Sequence, residues 1–390
     1  MKLSRLFREF VESEKTSGII LVSCTIVSLA LTNFFGQSYS GFWQTHIFYK
    51  PIEFWINDGL MTIFFLLVGL EIEREIYKGE LANIKSAMLP VLAAIGGMLV
   101  PAIIHSIFNH GTASQNGFGI PMATDIAFSL AILSLLGNRV SVSLKIFLTA
   151  LAIIDDLGAI LVIAFFYSKT ISIVYLGLAL LLFFIMFILG KLKIYNTWIY
   201  LTSGIAMWFF MYRSGIHPTI SGVLLAFAIP FGDGHKTALS YKVQHRLHKP
   251  VAFFILPLFA LANTAILIPS SVVTELTAPN SYGIIFGLFI GKPIGIFLFS
   301  VVGAAIGVCS IPNDIKRRHL LWTGFLAGIG FTMSIFITLL AFNEETLVYG
   351  SKIAIIIGSV LSGVFGFFGL RLTLKKSRLM NVISSPSGKN

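Results

Sequence analysis

The stretch Val142–Tyr167 decides the fold, and its centre reads Ala152-Ile153-Ile154-Asp155-Asp156-Leu157-Gly158. It is a 26-residue run of mostly Leu, Ile, Ala and Phe, long enough to cross a bilayer as a helix. Two successive carboxylates at its centre are expensive there, at roughly 2.5–3.5 kcal/mol for each on insertion scales. Neighbouring helical residues point about 100° apart, so Asp155 and Asp156 cannot share a face. One can look into a cavity while the other meets a neighbouring helix. Ionisable groups held at that depth mark ion or proton pathways.

Composition extends the same reading to the whole chain. Of 390 residues, 56% are hydrophobic and 12% charged, with a mean hydropathy of +0.88, which excludes a soluble domain of ordinary make-up. Apolar spans are expected at about 18–34, 52–77, 87–108, 120–136, 142–167 and 171–190. They continue at 195–212, 216–231, 249–269, 281–309, 319–342 and 347–372. The expectation is therefore an all-α polytopic membrane protein of about twelve helices. Residues 1–390 form one integral domain, with a charged lead-in at 1–15 and a tail at 373–390. The lead-in lacks a short apolar core with a cleavage site, so no removable signal peptide is expected. Cys24 and Cys309 lie in apolar surroundings without metal-ligand spacing.

The basic residues orient that model. With the N-terminus inside, 22 of the 28 Lys and Arg fall on inward segments and only Lys50, Lys169 and Arg213 on outward ones. Both ends are then cytoplasmic. The same asymmetry accounts for the net charge of +11 without any nucleic acid.

Other polar residues interrupt apolar runs. Thr124 and Asp125 sit in a short span opened by Pro121, and Lys292 lies near the middle of another, too deep to snorkel. A buried ammonium is expected to pair with an intramembrane Asp. Asp58 begins the second span, and Glu71, Glu73, Arg74 and Glu75 crowd its far end, where water reaches. The eleventh span has a weak centre at Gly328-Ile329-Gly330-Phe331-Thr332-Met333-Ser334. Weak spans thus occupy the middle of two triplets, helices 3–5 and 10–12, the pattern of inverted repeats with broken helices at a midplane site.

Six strings carry a resemblance: Trp55-Ile-Asn-Asp58-Gly, Phe64-Phe-Leu-Leu-Val-Gly-Leu-Glu71, Ala123-Thr124-Asp125-Ile-Ala-Phe128, Leu151-Ala-Ile-Ile-Asp155-Asp156-Leu-Gly, Ile290-Gly-Lys292-Pro and Gly328-Ile-Gly-Phe-Thr-Met-Ser-Ile-Phe336. Together they resemble the NhaA-type sodium/proton antiporters over nearly the whole chain. The resemblance implies a bacterial inner-membrane protein in which helices 4 and 11 unwind and cross. It implies electrogenic exchange of cytoplasmic Na⁺ or Li⁺ for external H⁺ by alternating access, serving Na⁺ and pH homeostasis, with no cofactor beyond the transported ions. Asp156 resembles the main cation ligand and Asp155 the neighbour set against Lys292, so both are expected to meet Na⁺. Asp125 resembles the acid that offsets half-helix N-termini, and Thr124 matches an oxygen donor. A pH response is expected around Glu71, Glu75, His235, His245 and His248, with Gln244 where the better-known pattern has a Glu. Dimerisation through an external β-hairpin is also implied, but Phe35–Pro51 is short for it, which leaves a homodimer open. Two other classes use intramembrane acids: an aspartyl protease, whose Tyr-Asp and Gly-x-Gly-Asp strings do not occur here, and an acid-lined channel or other proton-coupled cation transporter.

Overall fold

The computed structural model describes residues 5–168, 170–234, 237–267 and 272–374. The architecture is all-α, and its one sheet among the described residues is a hairpin of two-residue strands, His46–Ile47 and Lys50–Pro51. Among the described residues, eight helices are long and apolar enough to cross a membrane: Thr16–Phe35, Ile52–Lys78, Ile84–Asn109, Gln115–Leu135, Val142–Phe166, Ile173–Lys191, Pro279–Ala305 and Glu345–Thr373. A ninth is the pair Arg317–Ala327 and Phe331–Ala341, bent by 51° at its break.

The three remaining expected spans are helical but shorter or more polar. Thr197–Ser214 stands at the seventh, and the eighth is a helix of only nine residues, Ile220–Ala228, entered through a turn at Pro218. The ninth is a π-helical turn, Val251–Ile255, followed by Leu256–Asn263. A polar helix, Leu239–Pro250, leads into it. Residues 268–269, His235, the first four residues and the tail from 375 lie outside the described residues, as do the side chains of 5–15.

The fourth span does not begin as an α-helix. Gln115–Met122 is 3₁₀-helical, residues 123–125 are extended, and an α-helix starts only at Ile126. Pro121 and the glycines at 117 and 119 explain this, because they weaken α-helical hydrogen bonding over that half. The eleventh span breaks between Ala327 and Phe331. The two breaks meet: the Asp125 amide donates to the Ile329 carbonyl at 2.7 Å. Ser129 Oγ donates to Leu326 O and Ser334 Oγ to Ile120 O, each at 2.7 Å. Irregular backbone survives at membrane depth only when its polar groups are paired inside the protein, and these bonds pair them.

The third and tenth spans hold the crossing from one side. They approach so closely at Gly96 and Gly295 that a side chain on either would run into the backbone carbonyl of the other. Small residues permit such backbone contact between membrane helices. Gly295→Ala should therefore lower thermal stability in detergent by about 1–3 kcal/mol, the usual cost of forcing an extra methyl into a packed site. Gly177→Ala, where an added Cβ meets nothing within 4 Å, is the control. It should be neutral or stabilising by about 0.4–1 kcal/mol. Equal stability of the two variants would show that this crossing is not tightly packed.

Candidate functional site

Six polar side chains from four spans converge where the broken helices cross. Val142–Phe166 brings Asp155 and Asp156, both buried. The break in the fourth span brings Thr124 and Asp125, and the tenth brings Lys292, which is 0% exposed. The eleventh contributes Thr332 and its broken backbone.

Asp125 closes two helix ends at once. Its Oδ1 accepts from the Phe128 amide at 3.1 Å, which caps its own helix, Ile126–Leu135. Its Oδ2 accepts from the Thr332 amide at 3.0 Å and from Thr332 Oγ1 at 2.5 Å, at the start of Phe331–Ala341. A carboxylate thus faces the positive ends of two helix dipoles. Lys292 is placed against an opposite end. Its Nζ donates to the carbonyl of Met122, the last residue of the 3₁₀ segment, and lies 2.9 Å from Asp155 Oδ2. A π-helical turn, Gly287–Gly291, immediately precedes Lys292. Such turns shift the helix face and recur at functional sites.

Thr124 has one hydroxyl proton and two acceptors near it, Asp155 Oδ2 at 2.6 Å and Ala327 O at 2.9 Å. If Asp155 is ionised, the hydroxyl serves one of them only. If Asp155 is protonated on Oδ2, it donates to Thr124, which is then free to donate to Ala327; a proton on Oδ1 leaves both bonds as they are. Asp155 Oδ1 and Asp156 Oδ1 are buried and have no hydrogen-bond partner. Buried polar atoms of that kind are costly and call for an explanation in each case. Asp156 interacts electrostatically with Asp155, Asp125, Glu71 and Lys292, so most of its charged surroundings are acidic. No cluster of three or more His, Cys, Asp or Glu among the described residues is built to hold a metal ion. Two carboxylates with hydroxyl and carbonyl oxygens nearby suit a weakly held hard cation.

A cavity of about 420 Å³ reaches toward this crossing from the side of the 46–51 hairpin. Glu53, Asp58 and Asn343 line it, and so does Phe336 of the broken eleventh span. At its wall His217 Nε2 lies 3.3 Å from Asp58 Oδ1, and His217 Nδ1 lies 2.7 Å from Thr219 Oγ1. Asp58 was legible as a polar residue at a span entrance, whereas His217 sits in a short Gly-Ile-His-Pro turn with no periodicity to mark it.

The model of the family described as Na+/H+ antiporter 1 matches residues 8–370. The Na(+)/H(+) antiporter NhaA of Flavobacterium psychrophilum is 58% identical, covering 98% of this chain and all of the relative. The NhaA 1 antiporter of Flavobacterium johnsoniae is 56% identical over 97% of this chain and all of the relative. The Na(+)/H(+) antiporter NhaA of Cytophaga hutchinsonii is 55% identical over 96% of this chain and 97% of the relative. The chain belongs to this antiporter family. It is a family of transporters, not of enzymes, and the multi-pass helical fold agrees with it.

Within this antiporter fold the expected pH-response residues lie apart from the crossing, with one link to it through Glu71. Gln244 lies against Glu71 and accepts from Arg74 Nη1 at 3.5 Å. The Arg74 guanidinium stands 5.6 Å over the Tyr241 ring, and Tyr241 stacks on His245 at 5.9 Å. Glu75 accepts the Glu80 amide at 3.0 Å. His245 is exposed and His248 half-buried. The cluster at this helix end is not uniformly solvated: Glu71 and Glu75 are half-buried, and Glu73 turns fully inward with its Oε2 unpartnered. Helical spacing explains the split, since Glu73 shares a face with Gly69, which packs on Ala226 and Val223.

Removing the ammonium at the crossing leaves Asp155 buried and unpaired. Lys292→Ala should cost about 3–5 kcal/mol, seen as a lower melting temperature in detergent. A variant as stable as the parent would mean that the pair does not hold the crossing together.

Proposed function

We propose that the chain exchanges cytoplasmic Na⁺, or Li⁺, for external H⁺ through the Asp155–Asp156 pair by alternating access. The single observation that carries this reading is that each of these carboxylates has a buried oxygen without a partner while Asp125 has none. Na⁺ and H⁺ compete for the same oxygens. A protonated carboxylate is a poor ligand, and a cation held between the two carboxylates displaces the proton. Thr124 Oγ1, beside Asp155, and the Ala327 carbonyl next to that hydroxyl supply neutral oxygens to replace the ion's water.

The charge count favours unequal exchange. One Na⁺ traded for one proton at Asp156 moves no net charge. A second proton released from Asp155, or from Lys292 as its pairing with Asp155 changes, makes each cycle electrogenic. The whole chain acts as one transporter unit of a bacterial inner membrane with both ends cytoplasmic, as the 22 inward against 3 outward basic residues support. It works without a resident cofactor, the ions being cargo. The exposed tip of the 46–51 hairpin, Phe48 and Tyr49, gives a second copy an apolar place to dock.

Asp156→Asn keeps the shape but removes the titrating oxygen. Collapse of a pH gradient by added Na⁺ or Li⁺ in proteoliposomes should fall to background, while K⁺ serves as the comparison cation. Near-normal exchange by a monodisperse variant would remove Asp156 from the coupling step.

A pH response separate from that competition is proposed for the Glu71–Arg74–Gln244–Tyr241–His245 chain of contacts, with Glu75 and His248 beside it. Burial, aided by the positive charges of His245 and Lys249, pushes the His248 imidazole below its ordinary value of 6.5. A lowered value keeps His248 neutral above that pH, so it changes charge only on the acid side. Exchange rates at saturating Na⁺ should therefore coincide for His248→Ala and the parent from about pH 7 to 9 and diverge only below about pH 6.5. Gln244→Glu adds a carboxylate beside Glu71 and Arg74 and should move the profile above neutrality. Superimposable profiles for Gln244→Glu, a His245→Ala/His248→Ala double variant and the parent would leave only competition at Asp155 and Asp156.

A further inference from the structure

On its bilayer side the helix crossing is backed by an apolar groove of about 500 Å³. Buried Ile329 and Phe331, which flank Gly330 in the eleventh span, form its floor with Phe128 of the fourth. Its walls are the first and twelfth spans, whose Ile19, Val22, Ile26, Val360 and Val364 stand exposed along it.

The floor is one residue from the Asp125 cap. The Phe128 amide is itself a donor to Asp125, and the residue after Phe331 is the other donor, Thr332. The two rings meet edge to face at 5.0 Å, and the Phe331 amide donates to Ser359 Oγ of the twelfth span at 3.3 Å. Whatever lies in the groove therefore presses on both half-helices that Asp125 joins.

The groove also has a direction. Along the twelfth span its lining residues Val360, Val364 and Phe367 continue at helical spacing to Arg371 in the last turn. Along the fourth it ends at Leu135, the last residue of that helix, and Arg139 follows four residues later at the end of a 3₁₀ turn. Neither arginine has an ion-pair partner among the described residues. An apolar slot open to the hydrocarbon, with one arginine a helical turn beyond its lining on the twelfth span and another four residues beyond its lining on the fourth, matches an acyl chain and a negatively charged headgroup. We propose that this groove binds one anionic phospholipid, with a tail against Phe128 and Phe331 and its headgroup between Arg139 and Arg371.

Native mass spectrometry of the purified full-length protein tests this with phosphatidylglycerol and phosphatidylcholine of matched chains. One phosphatidylglycerol should be retained in preference to phosphatidylcholine. Filling the groove with Val22→Phe/Val360→Phe should abolish retention of that one lipid, while Ile205→Phe, at an exposed position on the seventh span, should not. Arg139→Gln/Arg371→Gln should keep tail binding but lose the headgroup preference, about fivefold per charge removed. Equal retention by the groove-filled variant and the Ile205→Phe control, or an unchanged preference after loss of both arginines, would overturn the proposal. So would a dimer seen by light scattering that the groove-filled variant dissociates, since a second copy would then be the occupant. These readouts do not depend on antiport. A second measurement does: exchange in proteoliposomes should rise with the phosphatidylglycerol fraction for the parent and stay flat for Val22→Phe/Val360→Phe.

Discussion

Two helices that stop halfway across a bilayer leave carbonyls and amides where water is scarce, and every other feature of the crossing answers that cost. Asp125 takes the amide ends of Ile126–Leu135 and Phe331–Ala341, Lys292 takes the carbonyl end of Gln115–Met122, and Thr124 and Ser129 reach the carbonyls of Ala327 and Leu326. The negative group sits at positive helix ends and the positive group at a negative end. Neither side chain would be tolerated there without its partners. The half-helices, in turn, could not end there without these side chains.

The same accounting separates three aspartates that look alike in composition. Both oxygens of Asp125 are engaged by amides and a hydroxyl that cannot leave without unravelling a helix end. Asp155 has one oxygen committed to Lys292 and Thr124 and one free, and Asp156 has a free buried oxygen and mostly acidic electrostatic neighbours. A structural carboxylate, a shared one and an open one thus lie within one cluster. Only a group with a free oxygen can alternate between a proton and a cation without the fold paying for it.

Charges in long apolar runs were easy to read from the sequence, because a carboxylate or ammonium among Leu and Ile has no bland alternative. Asp125, Asp155, Asp156 and Lys292 were found in this way, and the glycine pair at 328 and 330 marked the eleventh-span break. Features that depend on how helices meet were not legible. The π-helical turns before Lys292 and around Asp58 leave composition unchanged, and the 3₁₀ first half of the fourth span differs from an α-helix only in its hydrogen bonds. Glu73 reads as one more acid at a wet helix end until the packing of Gly69 on the eighth span shows which face it occupies. The pairing of His217 with Asp58 spans 159 positions and needs the fold to bring it about. The segment judged short for a β-hairpin does form one, in miniature, because two residues per strand suffice for a single register.

The short helix Phe331–Ala341 is where these constraints meet. Its first turn is bound to Asp125, Phe331 faces the bilayer groove, and Phe336, Leu339 and Leu340 line the cavity on the hairpin side. Its eleven residues join the rest of the span through Gly328-Ile329-Gly330, whose glycines pack closely against Leu288 of the tenth span. A helix too short to be fixed by its own length is positioned by what it touches. Asp125 holds its first turn, and the same helix carries one wall of the cavity. The crossing and the cavity on the hairpin side thus share one element.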